Sequence, residues 1–147
     1  MRALYDPNIL ISSLLPATRP DSTIGLIVAA ALRGAFALVL PADVAIELVD
    51  AARDKRDLAA RMPLDRAHAF VTELRGMAVV LPVLHAPPPA VGREADDDYL
   101  LAQAEAGEVD YLVSGDKDLQ ALKDRPFPFE IVTPVEFLAI LREAGLV

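Results

Sequence analysis

The sequence predicts an α/β domain around a mostly parallel sheet of about five strands. Two observations carry this. Short apolar runs of four to seven residues recur along the chain, and longer stretches with helical start and stop signals lie between them. Strands that alternate with helices in this way are joined by crossovers and so pair in parallel. The chain has 147 residues, of which 54% are hydrophobic, with a mean hydropathy of +0.35. That length suits a single domain over residues 1–147, and that composition is ample for a buried core.

The strand candidates, in order, are ALYD (3–6), AFALVL (35–40), MAVVLPV (77–83), DYLVS (110–114) and FEIVT (129–133). The first ends at Asp6, and Pro7 both holds Asp6 extended and suits the first position of a helix. STIGLIVAAALRG (22–34) reads as a helix capped by Ser22 and closed by Gly34. ADVAIELVDAARD (42–54) follows Pro41, and LDRAHAFVTELRG (64–76) ends at Gly76. DDDYLLAQAEAG (96–107) and TPVEFLAILREAG (133–145) each begin at a cap candidate and close on glycine, with Pro134 at the first helical position of the second. HAPPPAVGREA (85–95) is the one Pro-rich stretch and reads as an irregular loop within the domain.

Several function classes are excluded at this level. No apolar run reaches the roughly 18 residues of a membrane helix, and no secretory leader is apparent, so a cytoplasmic protein without a membrane partner is expected. There is no cysteine and only two histidines, His68 and His85, so any metal has to be held by oxygen. A net charge of −8 opposes a broad basic surface for nucleic acid. The charge is unevenly placed, however: Arg53, Lys55, Arg56, Arg61 and Arg66 fall within 14 consecutive positions. That segment reads either as a solvated helix face of mixed charge or as a local rim facing phosphates.

In a βα unit the carboxyl end of the strand and the amino end of the next helix share one edge of the sheet, where open α/β sheets bind ligands. Asp6 closes the first strand, Glu47 lies about one turn into the helix after the second, Asp98 lies in the first turn of the helix after the third, and Asp116 follows the fourth. All four map to that edge. Each alone is compatible with an ordinary helix-start role, since carboxylates cap and complement helix N-termini. Asp43, Asp96 and Asp97 read as such caps, and Asp118 as either a first-turn or a functional residue. Together the four would repel one another unless a cation neutralised them. Oxygen-only ligands suit Mg²⁺ or Mn²⁺, one or two ions, which favour phosphoryl chemistry.

Three stretches resemble the motifs of the PIN-domain ribonucleases, including the VapC-like toxin components of type II toxin-antitoxin systems. DPNILISSLL (6–15) is similar to the opening motif, with Asn two positions after the acid. IELVDAARD (46–54) is similar to the second, and DDDYLLAQAEAGEVDYLVSGDKDLQAL (96–122) to the third and most specific. Counting back from Ser-Gly-Asp, the third acidic position falls on Asp98, with Asp97 as the alternative. Pro7 stands where the family often has Thr.

The resemblance implies a three-layer α/β/α domain and a catalytic and metal-binding quartet of Asp6, Glu47, Asp98 and Asp116 around Mg²⁺ or Mn²⁺. It implies that Asn8 and Ser114 orient the carboxylates and that Gly115 allows the tight turn that brings Asp116 to Asp6. The implied activity is hydrolysis of RNA, as the toxin of a pair with a cognate antitoxin protein, and the implied assembly is a homodimer. Arg19, Lys117 and the basic segment 53–66 are candidates to guide the RNA backbone. Helix 22–34 could serve a dimer surface or the core. Alternatives remain at this stage: a non-catalytic PIN-like binding module, a haloacid-dehalogenase-type phosphatase, for which Asn8 stands where a second acid is needed, or a receiver domain.

Overall fold

The computed structural model describes residues 1–54, 63–84 and 95–147. Five strands form one sheet: β1 (Arg2–Tyr5), β2 (Ala37–Pro41), β3 (Val79–Leu81), β4 (Tyr111–Val113) and β5 (Glu130–Val132), in the order β3-β2-β1-β4-β5. Every pairing is parallel. The helices among the described residues are α1 (Pro7–Leu14), α2 (Thr23–Leu32), α3 (Ala42–Asp54), α4 (Leu64–Met77), α5 (Ala95–Ala106), α6 (Lys117–Gln120) and α7 (Pro134–Glu143).

The period of two along each strand sorts the core into two layers. Ala3, Tyr5, Leu38, Leu40, Val113 and Val132 share one buried cluster with apolar residues of α1, α2, α3, α4 and α7. Leu4, Val39, Leu112 and Ile131 share the other with Leu100, Leu101 and Ala104 of α5 and Leu119 of α6. The sheet is therefore covered on both faces, the three-layer α/β/α arrangement expected of a parallel sheet. On the thicker side Tyr5 is central. Its ring lies 5.7 Å from Phe137 and 5.9 Å from Phe36, and its hydroxyl donates to the Ile27 carbonyl at 2.8 Å. Burying Phe137 there contributes roughly 1.5–3 kcal/mol. Helix α2 buries Ile27, Val28, Ala30 and Ala31 and packs on α1, α4 and α7, so the residues that suggested a dimer surface serve the core.

Several boundaries differ from the sequence expectation. Gly76 does not end its helix, because the chain continues helically to Met77 and the Ala78 amide donates to the Leu74 carbonyl at 2.8 Å. The third strand is shortened accordingly to 79–81 from the expected 77–83. After α5 the left-handed residue is Glu108, with φ of 51°, not Gly107. Gly107 has a packing role instead, since a Cβ there would stand 2.8 Å from Cγ1 of Val39. Ser22 caps α2 as expected, accepting from the Gly25 amide at 3.1 Å, and Thr133 with Glu136 forms a capping box on α7. Lys55, Arg56 and Arg61 of the basic segment and residues 85–94 of the Pro-rich stretch lie outside the described residues.

Candidate active site

The chain steps outward from β1 to β2 and β3, then returns to place β4 on the other side of β1. Where the order reverses, the crossovers diverge and leave a crevice at the carboxyl ends of the strands. Asp6 and Asp116 stand on either side of that switch point. The Asp6 amide donates to the Val113 carbonyl at 2.9 Å, which carries the β1–β4 pairing one residue beyond the strand.

Both carboxylates cap helices as well as lining the crevice. Asp6 accepts the Asn8 amide at 3.0 Å on Oδ1, at the start of α1, where Pro7 contributes no N–H. Asp116 accepts the Asp118 amide at 2.8 Å at the start of α6. Ser114 joins the two. Its hydroxyl donates to Oδ2 of Asp6 at 2.7 Å and accepts the Asp116 amide at 3.1 Å. Ser114 is fully buried, and its backbone is tied down by the Val132 carbonyl at 2.9 Å and the Gln120 side-chain amide at 2.8 Å. The geometry of the Asp6 carboxylate is thus set from β4.

A cleft of about 500 Å³ opens over this edge, within the roughly 300–1,000 Å³ typical of ligand sites. Six carboxylates line it: Asp6, Asp43, Glu47, Asp96, Asp97 and Asp116. Val44 and Leu100 give it an apolar part, and no Lys or Arg lines it among the described residues. Three of the four expected quartet members, Asp6, Glu47 and Asp116, are brought together here. Asp98 is buried but does not line the cleft, whereas the alternative, Asp97, does. The reason is helical phase. Asp97 shares the stripe of Leu100, Leu101 and Ala104 (i, i+3, i+4, i+7) that packs on the sheet, and Asp98 is rotated about 100° away from it.

Asn8 lines the cleft, but its backbone amide, not its carboxamide, reaches Asp6. Asp118 is outside the lining and contributes its amide to Asp116. Gly115 departs from its expected role. Its φ is outside the left-handed region and a Cβ there would meet nothing within 4 Å, so the turn itself does not require glycine.

Gln103 was missed in the sequence, and Asp43 and Asp96, read there only as helix caps, line the cleft. Gln103, 4% exposed, donates from Nε2 to Oδ1 of Asp43 at 3.1 Å, holding that carboxylate in the cleft wall. The signals were present: Asp43 is four residues before Glu47, hence on the same face of α3, and Gln103 is a polar residue flanked by Leu100, Leu101, Ala102 and Ala104. Of the basic candidates, Arg19 pairs with Asp21 at 3.0 Å on the surface, Arg53 pairs with Asp50, and exposed Lys117 directly follows Asp116.

The donor chemistry, oxygen only and strongly anionic, fits a hard divalent cation. Among the described residues no group of three His, Cys, Asp or Glu side chains is gathered tightly enough to hold an ion. Mg²⁺ does not demand such a cage, since it commonly binds through one or two carboxylates and keeps waters that a phosphate can replace. Asp6 and Asp116, tied together through Ser114, meet that lesser requirement in kind.

A family model described as a PIN domain matches residues 2–118. The matched stretch contains every cleft-lining carboxylate and well over half of the chain. The protein therefore belongs to the PIN-domain family, whose fold is of the nuclease type and whose general activity is hydrolytic. None of the curated proteins matches the chain. Membership of this family removes the support for the phosphatase and receiver-domain alternatives. No described helix is long and apolar enough to cross a membrane.

Proposed function

We propose that the protein is a metal-dependent ribonuclease that cleaves RNA phosphodiester bonds by hydrolysis, with Asp6, Glu47, Asp97 and Asp116 as its essential carboxylates. The observation that carries this reading is the convergence of six carboxylates on one cleft at the sheet's switch point, with no cation of the protein among the described lining residues. Such a cleft repels a phosphodiester unless a cation stands between them. Bound there, Mg²⁺ or Mn²⁺ would lower the pKa of a water and offset charge on the phosphate. Asp6 and Asp116 would hold the ion, and Glu47 and Asp97 would complete its surroundings from α3 and α5. Ser114 fixes the orientation of Asp6, and Gln103 that of Asp43. Attack of water forms one bond to phosphorus as the bond to a ribose oxygen breaks. The water's proton passes to a cleft carboxylate or to solvent, and the departing ribose oxygen takes up a proton from solvent to leave as a hydroxyl.

The toxin role, a cognate antitoxin and a homodimer belong to this reading as well and rest on the motif resemblance, and a cytoplasmic site of action is proposed with them. An antitoxin that inserted a basic side chain among these carboxylates would find complementary charge. A non-catalytic binding module of the same fold is distinguished by turnover. The test is cleavage of a mixed single-stranded RNA pool with Mn²⁺, Mg²⁺ or EDTA, for the wild type and Asp6→Asn. The expected result is cleavage that requires metal and disappears in the variant. Cleavage in EDTA, or undiminished cleavage by Asp6→Asn, overturns the assignment.

A further inference from the structure

The Asp6–Asp116 pair has open space on two sides. Beyond the acidic cleft lies a second recess of about 330 Å³ that shares Asp6, Asn8 and Asp116 with it, so the two are lobes of one groove. The second lobe differs in chemistry. Its other walls are Ile9, Ser12, Ile24 and Pro134, and Gly115 completes it. A recess with one apolar wall, of Ile9, Ile24 and Pro134, adjoining an anionic site, suits an uncharged organic group linked to a phosphate. Ser12 is half-buried, and its hydroxyl has no hydrogen-bond partner among the described residues.

Gly115 makes the assignment sharper. Neither reason that usually fixes a glycine in a fold applies, since its φ is accessible to any residue and an added Cβ would touch no protein atom within 4 Å. The bare backbone instead borders the recess, and the absence of a side chain leaves room there for the close approach of a ligand. We propose that this lobe seats the nucleoside adjoining the scissile phosphate of a single-stranded RNA, and that Gly115 is the clearance position over which its sugar passes. Ser12 supplies the lobe's polar contact. This deepens the ribonuclease reading and rests on it.

The test compares Gly115→Val and the milder Gly115→Ala with the wild type. Steady-state cleavage of a short single-stranded RNA with Mn²⁺ is measured together with the thermal midpoint and Mn²⁺ binding in the absence of RNA. The expected result is a wild-type midpoint and wild-type Mn²⁺ binding, with KM raised by roughly tenfold or more in Gly115→Val, since the change adds a three-carbon side chain and a misfit of one methylene already costs about tenfold. Gly115→Ala shifts KM in the same direction by less. Unchanged KM in both variants, with the wild type cleaving normally, overturns the clearance role and leaves the nuclease reading intact. A lowered midpoint or weakened Mn²⁺ binding in Gly115→Ala also overturns it, because Gly115 would then serve the fold or the ion. A wild type that cleaves no RNA overturns the underlying reading and this inference with it.

Discussion

Replacing Ser114 with alanine removes a single oxygen from a fully buried position and breaks two hydrogen bonds, one to Oδ2 of Asp6 at 2.7 Å and one from the Asp116 amide at 3.1 Å. The first involves a carboxylate that is itself only 7% exposed, so water cannot readily take the place of the hydroxyl. A hydrogen bond to a charged group is worth roughly 1.5–3 kcal/mol, against about 1 kcal/mol for a neutral one. Asp116 is half-buried, so its amide recovers part of its loss from solvent. The expected cost of Ser114→Ala is therefore about 2–3 kcal/mol, a substantial share of the 5–15 kcal/mol typical of a domain. For a chain of this size that lowers the thermal midpoint by roughly 5–10 °C. Urea denaturation followed by circular dichroism in EDTA measures it without any contribution from metal. In an Asp6→Ala background the same substitution should cost less than about 1 kcal/mol, because the charged partner is already gone. A cost below about 0.5 kcal/mol, or equal costs in the two backgrounds, would refute the claim that Ser114 ties the Asp6 carboxylate to β4.

Asp97→Asn should remove RNA cleavage while Asp98→Asn retains most of it, as measured by initial rates in Mn²⁺; the reverse order would return the third carboxylate to Asp98. Tyr5→Phe loses the hydroxyl's bond to the Ile27 carbonyl and should cost about 0.5–1.5 kcal/mol at neutral pH. Burial holds the Tyr5 phenol well above its usual pKa near 10.0, so its neutral form is favoured in the folded state. The stability this carries is complete below pH 10 and declines as the unfolded chain ionises above it. The advantage of the wild type over Tyr5→Phe should shrink above pH 10 in denaturation curves, and parallel pH profiles would contradict that.

Much of the fold was legible because local signals agreed with one another. Ser22 and Thr133 with Pro134 mark helix starts by a mechanism that needs only neighbouring amides, and the apolar runs match the five strands to within two residues at each end. The edge bearing Asp6 and Asp116 followed from βα geometry alone. What was not legible depended on phase or on distant partners. Three consecutive aspartates open α5, and which of them line the cleft depends on which stripe of the helix meets the sheet, a point the count from Ser-Gly-Asp to Asp98 did not use. The bond between Gln103 and Asp43 spans 60 positions, so the local pattern around either residue does not name the other as its partner. Gly115 looked like a turn residue because Ser-Gly-Asp so often is one, yet its backbone is ordinary and the space beside it is what distinguishes it.

On the proposed reading these carboxylates form a site for a hard divalent cation. Crystals grown with Mn²⁺ and measured for anomalous scattering at the manganese edge test it directly, with no dependence on finding the right RNA. A strong anomalous peak is expected within ligand distance of Asp6 and Asp116, absent from crystals of Asp116→Asn. No peak in the cleft at millimolar Mn²⁺, or a peak that persists unchanged in the variant, would contradict it.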